Sequence, residues 1–371
     1  MSTIDLKQIA ESIKKSGFVL EHDVTELMRT HQWSVINNRY YVDDVQESAR
    51  EIDLVAYKVS RFENILIYTA LIVSCKKSEE NAWSLLIRDH VRDDPNIDWH
   101  PVKLWSNDKR LKHLVSKPAW REPYLDKAKL LGLYDKLFEP SGHLLAFQEI
   151  HKSKSTIQND KNIFNAVSSL MKAEAYEMNS LERRKKDLAI YNINLLSVVD
   201  SDLIKLHFSG KKITPSIIDD AQCVFNYIVN KRETSSRIHF CTYDSLDKVL
   251  VDYDQLHDMN SSFFGTLLFS FYENIFSNHE RVAILKDAFE KQVLWTYNYY
   301  RSKEFGTEDK LKEVFFNKSE DSDVLEIEID VNSKELDFFN GHEQFRALTE
   351  RALEQVYRYT GKFTFTFYIP F

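Results

Sequence analysis

The sequence lacks most of the short motifs that make a function easy to read. It contains no GxxxxGK[ST] and no GxGxxG, so no phosphate-cradling loop predicts a bound nucleotide or a nucleotide-driven motor. Its three cysteines, Cys75, Cys223 and Cys241, are scattered, with no CxxC and no Cys/His pairing. That argues against a disulfide framework and a zinc site, and points to a reducing cytoplasm. The twelve histidines show no metal-ligand spacing. The longest apolar runs fall far short of a membrane span. The first residues carry Leu6, Ile9 and Ile13 at helical spacing between charges, not the continuous apolar core of a signal peptide. There is no internal repeat and no low-complexity tract. The net charge of −8 excludes a wholly basic surface for nonspecific nucleic-acid binding, but leaves room for a local basic groove.

What is present is a chain of 371 residues, 43% hydrophobic, long enough for one large domain or two ordinary ones. Residues 19–32 read as a helix with Leu20, Val24, Leu27 and Met28 on one stripe and Glu21 near its edge. WSVINNRYYV then reads as a strand, with a turn within RYYVDDVQESAR. A second strand follows at 50–59 and a third at 65–77. Because side chains alternate along a strand, Glu51 and Asp53 share one face of the second, and Ser74 and Lys76 one face of the third. The third strand is an apolar run that stops on Ser74-Cys75-Lys76-Lys77.

Residues 84–147 differ in character. They hold five of the seven prolines (Pro95, Pro101, Pro118, Pro123 and Pro140) and read as short helical pieces. Between 99 and 134 eight Lys/Arg stand against three Asp/Glu, interleaved with Trp99, Trp105 and Trp120. This predicts an insertion with a locally positive surface. Lys109, Arg110, Lys112 and Arg121, with Lys77 beside the third strand, are its candidate nucleic-acid contacts; the tryptophans read equally as packing anchors. A strand is expected at 143–152, a helix at 161–181, and buried strands at 190–200 and 236–244. On the helix, Glu174 falls at about 280° from Phe164, inside the apolar stripe, with Glu177 at its edge. A carboxylate there must be paired or metal-bound, because burying it alone is costly. From about 256 the pattern is helical. It ends in VLEIEIDV, a helix near 342–359, and KFTFTFYI with Phe363, Phe365, Phe367 and Ile369 on one face.

The order Glu21, then Glu51-Ile52-Asp53-Leu54-Val55-Ala56, then Leu71-Ile72-Val73-Ser74-Cys75-Lys76-Lys77-Ser78 resembles the PD-(D/E)xK, restriction-endonuclease-like nucleases, closest to their Mrr-like branch. The resemblance covers 19–83 well and about 143–252 loosely. It implies an α/β fold with an α-β-β-β-α-β core spanning 1–255, interrupted by the insertion at about 84–147 and followed by an α+β region at 256–371. It implies that Asp53 binds metal, Lys76 is the catalytic lysine and Glu21 is the helix glutamate. Ser74 stands where the family carries a carboxylate or Gln, so another acid must complete the site. Some restriction enzymes with Ser-x-Lys take that acid from the next core helix, and Glu174 is the candidate here. The implied function is a Mg²⁺- or Mn²⁺-dependent endonuclease hydrolysing phosphodiesters in DNA, ahead of RNA, in defence against foreign DNA. Two alternatives are carried beside it. One is a catalytically inactive nuclease fold that binds nucleic acid or a protein partner. The other is a scaffold that oligomerises or docks through its C-terminal aromatic strand.

Overall fold

The structure is a computed structural model describing residues 5–14, 16–43, 47–90, 96–318 and 323–369. The centre of the first expected turn, Pro95 and the last two residues lie outside that set. The chain divides into two compact units. One comprises residues 1–108 with 115–265, and the other 109–114 with 266–371. The division therefore falls ten residues beyond the expected start at 256, inside one long helix.

The first unit runs α1 (Leu6–Ile13), α2 (Gly17–Thr30), β1 (Ser34–Val42), β2 (Ala49–Phe62), β3 (Ile65–Lys77), β4 (Asn81–Arg88) and β5 (Lys103–Ser106). It continues with α3 (Lys109–Ser116), whose first residues belong to the other unit, and α4 (Arg121–Leu130). Then come β6 (His143–His151), β7 (Thr156–Ile157), α5 (Lys161–Arg184), β8 (Ala189–Asp200), β9 (Leu203–Ser209), β10 (Lys212–Ile218), β11 (Asp220–Val229), β12 (Arg232–Thr242) and α6 (Leu246–Ser270). Seven strands form one mixed sheet in the order β1-β2-β3-β8-β12-β11, with β5 pairing β8. β1, β2 and β3 are an antiparallel meander, whereas β8 lies parallel to β3 and β12 parallel to β8. The α/β character is thus observed: a helix, three strands, a helix, and a strand that returns parallel to the third. A second sheet has the order β10-β9-β4-β6-β7; its β6 is the strand expected at 143–152, and only parts of β4 and β6 fall within the expected insertion.

β3 occupies the middle of the large sheet and is buried along nearly its whole length. A strand covered on both faces must be apolar throughout, which is why its sequence reads as one run. The covering helices lie on opposite faces. Thr25 of α2 accepts from the Asn37 amide, while Leu181 of α5 lines a cavity with Ile36, and adjacent strand residues point to opposite sides. α5 buries Ile163, Val167, Leu170, Met171 and Leu181 against the sheet, each contributing about 1.5–3 kcal/mol of transfer energy. Phe164, expected on that stripe, is instead 45% exposed, with its ring against Tyr227. Arg183 and Arg184 in the last turn of α5 suit the negative end of its dipole.

The second unit contains α7 (His279–Phe305), β13 (Phe315–Asn317), β14 (Val324–Ile329), α8 (Ser333–Gly341), α9 (Glu343–Tyr357) and β15 (Lys362–Phe367). β14 pairs antiparallel with β13 and parallel with β15. The aromatic face of β15 is divided: Phe363 and Phe365 are buried in this unit's own core, whereas Phe367 and Ile369 are exposed. No helix among the described residues is long and apolar enough to cross a membrane.

Candidate active site

The β2–β3 ladder is paired from Phe62 and Ile65 up to Leu54 and Val73, and stops there. Past that point Cys75 N–H donates 2.7 Å to the Asp53 carboxylate instead of to a neighbouring strand. On the other side, β1 and β2 keep one register but leave Asn38 and Asp53 unpaired. Asn38 sits in the left-handed region, φ 54°, which asparagine tolerates better than most residues. Its amide donates 2.6 Å to Glu51. Both neighbours of β2 therefore release it at Asp53, and the acid stands in the resulting gap.

Three hydrogen bonds converge on one oxygen of Asp53. Oδ2 accepts from the Ser74 hydroxyl at 3.2 Å, from Cys75 N–H, and from the Lys76 ammonium at 3.0 Å. Oδ1 accepts none. Lys76 also donates 3.2 Å to the Cys75 carbonyl, and its side chain remains 32% exposed. Glu21 reaches the same gap from α2. Burial raises its pKa, the negative charges of Asp53 and Glu51 raise it further, and Lys76 opposes them. Glu21 thus feels two other carboxylates, Asp53 and Glu51, and the Lys76 ammonium that Asp53 holds. Cys75 is buried, and burial holds its thiol well above the usual range, so it packs as a small apolar residue.

The helix glutamates are elsewhere. The part of α5 that closes over Asp53 and Ser74 presents Ser169, Leu170 and Ala173, which line a small cavity with Glu51 and Ile72. Glu174 turns instead to β12 and β5, accepting from the Ser236 hydroxyl with Lys103 Nζ 3.9 Å away. Burial pushes its pKa up to about 7, against the pull of Lys103, Ser236 and Arg237. Glu177 is held by Arg39 and Arg184, each at 2.7 Å. The expectation that Glu174 joins Asp53 as a metal ligand is corrected: the buried acid is paired, as its burial demands, but with a different part of the sheet.

The candidate nucleic-acid contacts are also dispersed. Lys77 donates 3.3 Å to the Lys14 carbonyl and lies 3.5 Å from Asp200. Arg121 is matched two-to-two with Asp98. Lys109 and Lys112 are exposed and Arg110 donates to the Tyr272 hydroxyl; all three belong to the second unit. Trp99 and Trp120 are buried and Trp105 half-buried against Tyr191, so the tryptophans are packing anchors. Asn38 and Ser169 were missed from the sequence. The left-handed Asn within a strand pattern is the only signal that could have flagged either.

Among the described residues no three or more His, Cys, Asp or Glu side chains converge as a ready metal site. Mg²⁺, however, usually takes one or two carboxylates and fills its remaining positions with water and phosphate oxygen. Asp53, with one oxygen open, and Glu21, whose pKa is raised first by burial and then by the charge of Asp53, are carboxylates that fit that requirement in ligand type and number. No family model matches the chain, and no curated protein or solved structure matches it.

Proposed function

We propose that the gap between β1, β2 and β3 is a phosphodiesterase site, and that the protein is a Mg²⁺- or Mn²⁺-dependent endonuclease acting on DNA. The observation that carries this reading is the split use of Asp53: Oδ2 anchors Lys76 while, among the described residues, Oδ1 accepts no hydrogen bond, and Glu21 lies within electrostatic reach of both side chains. A solely structural ion pair gains nothing from Glu21, a further, partly buried carboxylate within electrostatic reach of Asp53, since like charges raise each other's cost. The order of elements, with this cluster at the parting of the second and third strands, is in keeping with the nuclease resemblance.

Asp53 and Glu21 would hold the metal ion, which when bound polarises the phosphate and acidifies water. Lys76 holds its charge toward the scissile phosphate, where it offsets the negative charge that develops. Asp53 fixes Lys76 in place, helped by the Ser74 hydroxyl and Cys75 N–H. Glu21, its pKa raised, accepts the proton of the attacking water as the new P–O bond forms and the bond to the leaving oxygen breaks. The leaving oxygen takes its proton from solvent.

The test is cleavage of plasmid and single-stranded substrates with Mg²⁺ or Mn²⁺. Asp53→Ala and Lys76→Ala are each expected to lower the rate by about 100-fold or more. Metal-dependent cleavage unchanged in both variants sinks the site. A second reading, a nucleic-acid-binding fold without catalysis, is favoured by one observation: α5 presents Ser169, Leu170 and Ala173, not an acid, to Asp53. Substrate binding by the wild type without cleavage under either metal would establish it.

A further inference from the structure

A cavity on the α5 face lies beside the Asp53 gap and is unlike it in charge. Its volume is about 220 Å³. Its floor is apolar, formed by Val55, Ala70, Ile72 and Ile193 of β2, β3 and β8, with Tyr57, Tyr68 and Tyr191 at one side. Tyr68 and Tyr191 stack with centroids 4.2 Å apart. Its rim carries three cations, Arg39, Arg184 and Lys185, against one carboxylate, Glu177.

That carboxylate is nearly buried and is shared between two guanidinium groups. Arg184 donates 2.7 Å to Oε2. Arg39 Nε lies 2.7 Å from Oε1, yet Oε1 receives no directed hydrogen bond. Lys185 donates 2.7 Å to the Tyr68 hydroxyl, and the nearest acid to it, Asp187, is 4.0 Å away and largely exposed. A half-enclosed space with excess positive charge at its rim and an apolar floor favours an anion with an apolar body.

Its position narrows the class. Asp53, Val55 and Tyr57 are successive same-face residues of β2, and Ser74, Ile72, Ala70 and Tyr68 of β3. Ile72 lines both this cavity and the small one at Asp53. The cavity therefore starts roughly 7 Å along β2 from Asp53 and extends to roughly 13 Å, at about 3.3 Å per residue. A strand whose phosphate reacts at Asp53 reaches it.

We propose that this cavity holds a nucleoside 5′-monophosphate unit, with phosphate on Arg184 and Lys185 at the rim and the nucleoside over the apolar floor. The identity of the ligand rests on the phosphodiesterase reading; the cavity and its charge do not. The unit is either the 5′ end of a bound strand or a free nucleotide, and neither needs a glycine-rich loop.

The test is calorimetric titration of the full chain in EDTA with thymidine 5′-monophosphate, thymidine, inorganic phosphate and a 5′-phosphorylated oligothymidylate. The monophosphate is expected to bind about tenfold or more tighter than thymidine or phosphate alone, as two charge-assisted contacts and an apolar surface imply. The double variant Arg184→Gln, Lys185→Gln should weaken it about tenfold or more, Arg184→Lys with Lys185→Arg should largely keep it, and Asp53→Ala should leave it unchanged. Both altered sites are partly exposed, and matching melting curves exclude a folding defect. Oligonucleotide binding that the monophosphate competes away assigns the cavity to a strand end; monophosphate binding without that competition assigns it to free nucleotide. No binding of the monophosphate, or equal binding by the double glutamine variant, overturns the proposal. Retained monophosphate binding with no Mg²⁺-dependent cleavage sinks only the nuclease reading.

Discussion

Carboxylates occur in two settings around the large sheet, and the difference between them is one of charge balance. Glu174 and Glu177 on α5 are each buried, and each is answered: Glu174 by Ser236 and Lys103, Glu177 by Arg39 and Arg184. Asp53 is paired with Lys76 through Oδ2, its Oδ1 accepts no hydrogen bond among the described residues, and Glu21 lies within electrostatic reach of Asp53, Lys76 and Glu51. The better-buried acids are the ones whose charge is met by neighbouring cations, although Oε1 of Glu177 receives no directed hydrogen bond. The informative quantity is the balance of charge and hydrogen bonding left open, because an unmet carboxylate is what a divalent cation requires.

The comparison breaks most sharply in metal-dependent cleavage. Glu21→Gln is expected to lower the rate by about 100-fold, because it removes a ligand and the proton acceptor together. Glu174→Gln should stay within about threefold of wild type, since the amide oxygen still accepts from Ser236. Rates measured across a Mg²⁺ series decide it. A larger loss for Glu174→Gln than for Glu21→Gln would return Glu174 to the site and undo the distinction.

Much of this setting was legible before any coordinates. The apolar run of β3 ends on its two lysines because a strand covered on both faces has no place for charge until it emerges, and the structure bounds it at Ile65–Lys77. Strand alternation put Ser74 and Lys76 together. Glu174 was read on the buried stripe of its helix, and it is buried. A helical wheel gives the angle of a side chain but not its height along the axis. At the height of Asp53 the stripe offers Ser169, Leu170 and Ala173; slightly further along, it has reached β12. Of the smaller sheet only β6 was expected, at 143–152, and its other strands were missed for a different reason. β10 is almost wholly exposed, and its short run with Ile213 and Ile217 buries no core face that would mark it as a strand. The expected insertion began at residue 84, inside the strand β4 (Asn81–Arg88), so its continuity with β3 was lost. The gap at Asn38 depends on the register of β1 against β2, which no single strand encodes.

A second way to sharpen the comparison is stability against pH. Burial lifts Glu174 from its ordinary value of 4.5 to about 7. The folded protein therefore binds this proton more tightly than the unfolded chain does. The resulting stabilisation is complete below about pH 4.5 and is lost as pH rises through about 7. At 1.36 kcal/mol per unit it amounts to about 3 kcal/mol. Glu174→Gln should remove this slope. Denaturant midpoints at pH 5, 6.5 and 8 should fall less for the variant than for the wild type. Parallel curves would mean that Lys103 and Ser236 hold the carboxylate ionised throughout.

The smallest effect tests the residue that departs from the nuclease pattern. Ser74 donates one 3.2 Å hydrogen bond to Asp53 Oδ2, and the same oxygen keeps Cys75 N–H and Lys76 when the hydroxyl is removed. Ser74→Ala should therefore cost about 1 kcal/mol of stability, the net worth of one such bond, read as a small shift in urea midpoint. Cleavage should change by no more than about threefold, because Lys76 stays anchored. If the hydroxyl were itself a ligand or a water-positioning group, the rate would fall by tenfold or more, and the loss would grow as Mg²⁺ is lowered. The serine would then belong with Asp53 and Glu21 among the unmet groups, not with the contacts that hold Asp53 still.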